Sequence, residues 1–123
     1  MKLLATENAP AAIGPYSQGL DIGSMVFVSG QIPIDPATGA MAETIEEQTT
    51  RSLTNVRNIL ASDGLTMANV VKTTVFLADL ADFPAMNAVY ETFFEKPFPA
   101  RSCVQVAAIP KGAKVEIECI AVK

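Results

Sequence analysis

The stretch PFPARSCVQVAAIP, residues 97–110, puts Arg101 at the head of a strand-like run in a chain with three arginines. On a strand Arg101, Cys103 and Gln105 point to one side, and Ser102, Val104 and Val106 to the other. A guanidinium held there presents a planar fork that matches a carboxylate. The alternative is a structural ion pair with a nearby Asp or Glu. Pro97 and Pro99 restrict the approach, which lowers the entropic cost of holding Arg101 in one place.

Glu116 and Glu118 share one face of KVEIECIAV with Ile120 and Val122. A carboxylate in line with apolar side chains either ends in solvent or is kept for a purpose. Partly buried with no cation beside it, its pKa rises toward a range that suits proton transfer; pairing with Arg101 would push it down. Cys103 and Cys119 have no His or Asp partner in sequence and read as small core residues rather than nucleophiles. Tyr16, just after Gly14-Pro15, is either a pocket wall or a core ring. Ser29-Gly30-Gln31 ends an apolar strand at a glycine, where a backbone approaches a ligand closely or simply turns. Asn87 lies at the edge of an apolar helix face, a mildly unfavourable place for an amide.

The elements that must position these groups follow from periodicity. YSQGLDI and SMVFVSGQ read as a hairpin around Gly23-Ser24, and the unbroken Met25–Val28 run suits a strand covered on both faces. IPIDPATG is a loop. From Thr44 to about Ser62 the period becomes helical, with Ile45, Thr49, Leu53, Val56, Ile59 and Leu60 in one stripe and Gly64 as the stop. VVKTTVFL is a β-branched strand. Asp82 is the expected N-cap of a second helix, with Pro84 early in it and Met86, Val89, Tyr90, Phe93 and Phe94 as its apolar face. RSCVQVAAI and KVEIECIAV are two strands joined at Pro110-Lys111-Gly112. The order β-β-α-β-α-β-β, with a further short strand before Pro10, predicts one α+β domain over residues 1–123, a sheet with helices on one face. Its other face, carrying Met25, Phe27, Ile120 and Val122, would stand open in a monomer, which points to self-association.

Composition narrows the function further. The chain has no His, two Cys, nine basic and thirteen acidic residues, and a formal net charge of −4. Histidine-dependent triads are ruled out, transition-metal sites have little to build on, and nucleic acid is a poor partner. No GxGxxG or Walker pattern supports nucleotide binding. There is no apolar run of membrane-spanning length and no signal-peptide pattern, so the expectation is cytoplasmic residence with no membrane partner. The residues alone thus lead to an oligomeric α+β protein with a candidate small-anion pocket.

IGPYSQG, VFVSGQIPIDPATG, PARSCV and KVEIECIAV, in that order, resemble the RidA family, also called YjgF, of enamine/imine deaminases. The resemblance spans essentially the whole chain. It implies a chorismate-mutase-like α+β fold with a mixed sheet on two helices. It also implies a homotrimer with a barrel-like core and clefts between subunits. Arg101 would clamp the substrate carboxylate, and Glu116 would activate the attacking water. Tyr16, Ser29, Gly30 and Asn87 would line the pocket, and Cys103 would contribute its backbone carbonyl. The implied reaction turns 2-imino acids, or enamines such as 2-aminoacrylate and 2-aminocrotonate, into 2-keto acids and ammonia without a cofactor. The implied functional link is to the pyridoxal-phosphate dehydratases that release those enamines. Two other readings stand beside it: a non-catalytic small-molecule sensor, and a ribonuclease or translation inhibitor.

Overall fold

In the computed structural model, which describes all 123 residues, the elements run β1 (Lys2–Leu4), β2 (Gly19–Asp21), β3 (Met25–Gln31), α1 (Ile45–Ala61), β4 (Val70–Leu77), α2 (Phe83–Glu91), β5 (Ala100–Gln105) and β6 (Val115–Val122). One mixed sheet holds all six strands in the order β1-β2-β3-β6-β4-β5. Every pairing is antiparallel except that of β4 with β5. The hairpin at Gly23 forms as expected, with that glycine at φ +108. The last two strands are not neighbours: β6 runs between β3 and β4, and β5 takes the sheet edge beyond β4.

This topology decides where the helices lie. Because β6 is antiparallel to both β3 and β4, those two strands run the same way, and α1 is the crossover between them. The second crossover, through α2, joins β4 to its parallel neighbour β5. Both steps go in the same direction across the sheet. Parallel crossovers share one handedness, so both helices must land on the same face. One core results: Leu53, Val56, Ile59 and Leu60 of α1 and Met86 and Tyr90 of α2 pack on Val26, Val28, Val75, Leu77, Val115 and Ile117.

Local chemistry holds the helix ends. Thr44 caps α1 by accepting the Glu47 N–H at 3.1 Å, and its hydroxyl donates to the Glu47 carboxylate at 2.9 Å. At the other end Gly64, at φ +75, donates to the Ala61 carbonyl, and Leu65 to that of Leu60, each at 3.0 Å. That pair of bonds is the Schellman closure expected of a glycine there. Asp82 precedes α2 but makes no capping bond; Asp79 instead accepts the Ala81 N–H in the turn before it. Phe93 and Phe94 lie beyond the last turn of α2, although Phe94 still reaches the core.

The opposite face of the sheet carries no helix. Val26 and Val28 are buried, whereas Phe27 between them is 40% exposed, so β3 is covered on one side only within the chain. Phe27 pairs across to Leu20 and to Ile120, and Phe76 sits between Glu116 and Val104. This bare face therefore mixes apolar residues with Thr74, Glu116 and Glu118 rather than being apolar throughout. No helix of the chain is long and apolar enough to cross a membrane.

The segment leading to Tyr16 hangs on one buried amide. Gln18, 4% exposed, accepts the Thr6 N–H at 2.7 Å and donates to the carbonyls of Thr6, Ala9 and Pro10. Truncation leaves those groups unpaired beneath the surface. Gln18→Ala is expected to cost about 1–3 kcal/mol, read as a lower urea midpoint at fixed protein concentration.

Candidate functional site

Arg101 is the second residue of β5 and lies beside Thr73 of β4 in register. Thr73 is buried under α2, so Arg101 points to the helix-covered face. There its Nη1 donates to Asn87 Oδ1 at 2.7 Å. Its guanidinium carbon stands 4.7 Å from the centre of the Tyr90 ring and 5.4 Å from that of Phe83. The hydroxyls of Tyr90 and Thr73 share a 2.7 Å hydrogen bond behind it. All the ion pairs of the chain involve Lys2, Arg51 or Lys123, and within the chain Arg101 has no carboxylate partner. The side chain opens into a cleft lined by Asn87, Tyr90, Glu91, Phe98 and Pro99. Asn87 and Arg101 border the same cleft. Phe83, Tyr90 and Phe98 were not singled out; the 83/87/90 helical spacing is the signal that would have grouped the first two with Asn87.

Glu116 occupies the opposite face. It pairs in register with Phe76, one residue out of phase with the Val75 and Leu77 positions that face the helices. The pairing of β3 with β6 is irregular between Val28 and Gln31, and Ser29 and Gly30 fall within that irregularity. A Cβ built on Gly30 would sit 2.7 Å from Glu116 Oε2, so only a glycine leaves the carboxylate its place. Ser29 donates its hydroxyl to the Ser17 carbonyl, while its N–H donates to Gln18 at 2.9 Å. It thereby ties down the segment that follows Tyr16, a residue that is 53% exposed. Tyr16, Ser29 and Glu118 line one shallow depression on this face. Burial holds the Glu116 carboxyl above the usual carboxylate range, and the neighbouring charge of Glu118 adds to the effect.

Neither thiol is poised to react. Burial raises the pKa of Cys103, an effect the Arg101 charge only partly offsets. Cys119 is buried and pushed up to about 12 by burial and by Glu118. Cys103 lies on β5, an edge strand, so part of its backbone hydrogen-bonding capacity turns away from the sheet.

The sequence pattern of the family described as endoribonuclease L-PSP matches residues 6–123. The 2-iminobutanoate/2-iminopropanoate deaminase of Salmonella typhimurium is 59% identical over 125 aligned positions, covering 99% of this chain and 98% of that protein. The chain belongs to the RidA/YjgF family. The crystal structure of the YjgF gene product of Escherichia coli superposes on it with a TM-score of 0.97 at 53% identity, covering 100% of this chain and 99% of that one. Escherichia coli TdcF, solved with bound serine, superposes with a TM-score of 0.97 at 50% identity over the same shares. The mixed sheet with flanking helices is thus the RidA/YjgF fold.

In this RidA/YjgF chain the candidate residues form two groups on two faces: Arg101 with Asn87, and Glu116 with Ser29, Gly30 and Tyr16 nearby. The folded pKa of Glu116 lies above its unfolded value. Its carboxyl therefore favours folding fully only below the usual glutamate range, and that contribution is lost as pH rises through the raised value. Glu116→Gln, uncharged throughout, is expected to gain stability relative to wild type between pH 4 and pH 7. Denaturation midpoints at the two pH values check this, and a carboxyl carbon titration of Glu116 should show a midpoint above 4.5.

Proposed function

We propose that this chain hydrolyses 2-imino acids to 2-keto acids and ammonia, with 2-iminobutanoate and 2-iminopropanoate as substrates. The observation that carries the reading is the Arg101 guanidinium, fixed by an amide and two rings with no carboxylate spent on it. Such a group is a vacant bidentate fork for a planar acid. The deaminase name carried by the Salmonella relative, and the small amino acid held by TdcF, agree with a ligand of this size and charge.

The chemistry asks little of the protein. An imine carbon is already electrophilic, so no cofactor is required. Arg101 orients the substrate through its carboxylate, and Glu116 takes a proton from water as the oxygen bonds to the imine carbon. Glu116 returns that proton to the nitrogen through a water, and as the C–N bond breaks the hydroxyl proton passes back to Glu116, so that ammonia departs and the carbonyl of the keto acid forms. The Cys103 backbone carbonyl accepts a hydrogen bond from the substrate nitrogen, and Tyr16, Ser29, Gly30 and Asn87 shape the pocket. A carboxylate whose pKa is raised by burial is a stronger base when ionised than an exposed one.

Arg101 and Glu116 project from opposite faces, so one chain does not bring both to one substrate. A homotrimer resolves this if the bare sheet faces turn inward as a barrel-like core and each cleft takes Arg101 from one subunit and Glu116 from its neighbour. Pyridoxal-phosphate dehydratases, which release enamines, are the natural suppliers of substrate, in the cytoplasm.

Arg101→Ala is expected to lower kcat/KM for imine loss by about 100-fold or more while the oligomer persists. The assay follows 2-aminocrotonate produced by a dehydratase, and an undiminished rate would exclude the clamp. Glu116→Ala is expected to lose turnover by about 10²–10⁴-fold yet still bind 2-oxobutanoate. In wild type the rate should rise with pH through a midpoint above that of an ordinary glutamate, because the base must be ionised. Binding without any acceleration of imine loss would instead favour the sensor reading.

A further inference from the structure

Phe83, Asn87 and Tyr90 recur at i, i+4 and i+7, so α2 turns one stripe toward β5. Each of the three meets the same guanidinium. Asn87 takes one N–H at 2.7 Å, while the two rings lie 4.7 and 5.4 Å from its carbon. Glu91, four residues after Asn87, lines the same cleft but makes no ion pair with the guanidinium, whereas a carboxylate paired to it would occupy the fork and cancel the charge. Aromatic faces attract a guanidinium and leave its in-plane donors free.

Tyr90 is itself immobilised. It is 5% exposed, and its hydroxyl is bonded to Thr73, which is 1% exposed. Thr73 is in turn the register neighbour of Arg101 on the adjoining strand. The contacts therefore close a ring across β4, α2 and β5. We propose that Tyr90, locked in place by Thr73, is a positioning residue that sets the plane of the Arg101 fork for carboxylate capture. The proposal rests on the reading of Arg101 as a carboxylate clamp.

Two variants separate the ring from its anchor. Tyr90→Leu removes the aromatic face and keeps apolar bulk, while Tyr90→Phe keeps the face and gives up the Thr73 bond. Titration calorimetry with 2-oxobutanoate should show binding about tenfold weaker in Tyr90→Leu and no more than about threefold weaker in Tyr90→Phe. In the imine assay KM should rise with the same ranking while kcat stays within about threefold, a split that general loosening of the fold would not produce. Binding and KM of Tyr90→Leu equal to wild type, or a loss confined to kcat, would overturn the proposal. If wild type binds the keto acid but does not accelerate imine loss, the deaminase reading fails and calorimetry alone decides the role of Tyr90. Absence of keto-acid binding by wild type overturns both.

A measurement on the unaltered protein covers the case in which Tyr90→Leu does not fold. With three arginines in the chain, the guanidinium signal of Arg101 is identifiable by its loss in Arg101→Lys. Slow rotation and ring-shifted resonances support the stacked fork, and a freely rotating, unshifted guanidinium would overturn it.

Discussion

The direction of two crossovers decides most of what this protein can do. Because α1 and α2 both connect parallel strands in the same sense across the sheet, handedness sends both to one face. Everything on the other face is left to be covered by something else. The burial of Val26, Val28, Val75, Leu77, Val115 and Ile117 follows directly, as does the exposure of Phe27 and Val104. The separation of Arg101 from Glu116 is the same fact seen from the site. A sheet one strand thick puts a cation under the helices and a carboxylate on the bare side, with no path between them inside the chain.

The two groups are also kept apart electrostatically. Arg101 is surrounded by an amide and two rings that leave its charge uncompensated. Glu116 lies among Gly30, Phe76 and Glu118, with nothing positive paired to it. An ion pair between them would lower the carboxyl pKa and fill the fork, so that neither a base nor an anion site would remain. Their placement on opposite faces keeps them from pairing within one chain.

Much of this was legible from residue order, and the parts that were not share a cause. Helix α1, with its cap region and glycine stop, follows from spacing alone, because its period and end signals are local. Alternation on β5 and β6 correctly sorted Arg101 and Cys103 from Ser102 and Val104, and Glu116 from Ile117. It did not say that the Arg101 side of one strand and the Glu116 side of the other are opposite faces of the sheet. That depends on β6 entering between β3 and β4, a pairing of residues far apart in the chain. Asp82 holds the expected N-cap position of α2, with Pro84 just inside the helix, but its side chain makes no capping bond, while Asp79 caps the separate turn before it. Tyr90 read as an ordinary core ring, and it is one; its second contact, to Arg101, is a tertiary fact that no local pattern carries.

Assembly through the bare face would act on Glu116 in two opposing ways. Covering that face removes water and raises its pKa further, since burial is already the larger cause of the shift. Bringing an arginine from a neighbouring subunit into the same cleft lowers it. In the proposed mechanism a substrate carboxylate clamped by that arginine would screen its charge from Glu116 and let the acid return toward the raised value. The same neutral cradle that leaves Arg101 available to an anion would then let anion binding adjust the proton affinity of Glu116. A fork already paired within its own chain would have no such effect. Under the proposed mechanism, the unpaired state of Arg101 would therefore matter to Glu116 as a base as much as to substrate capture.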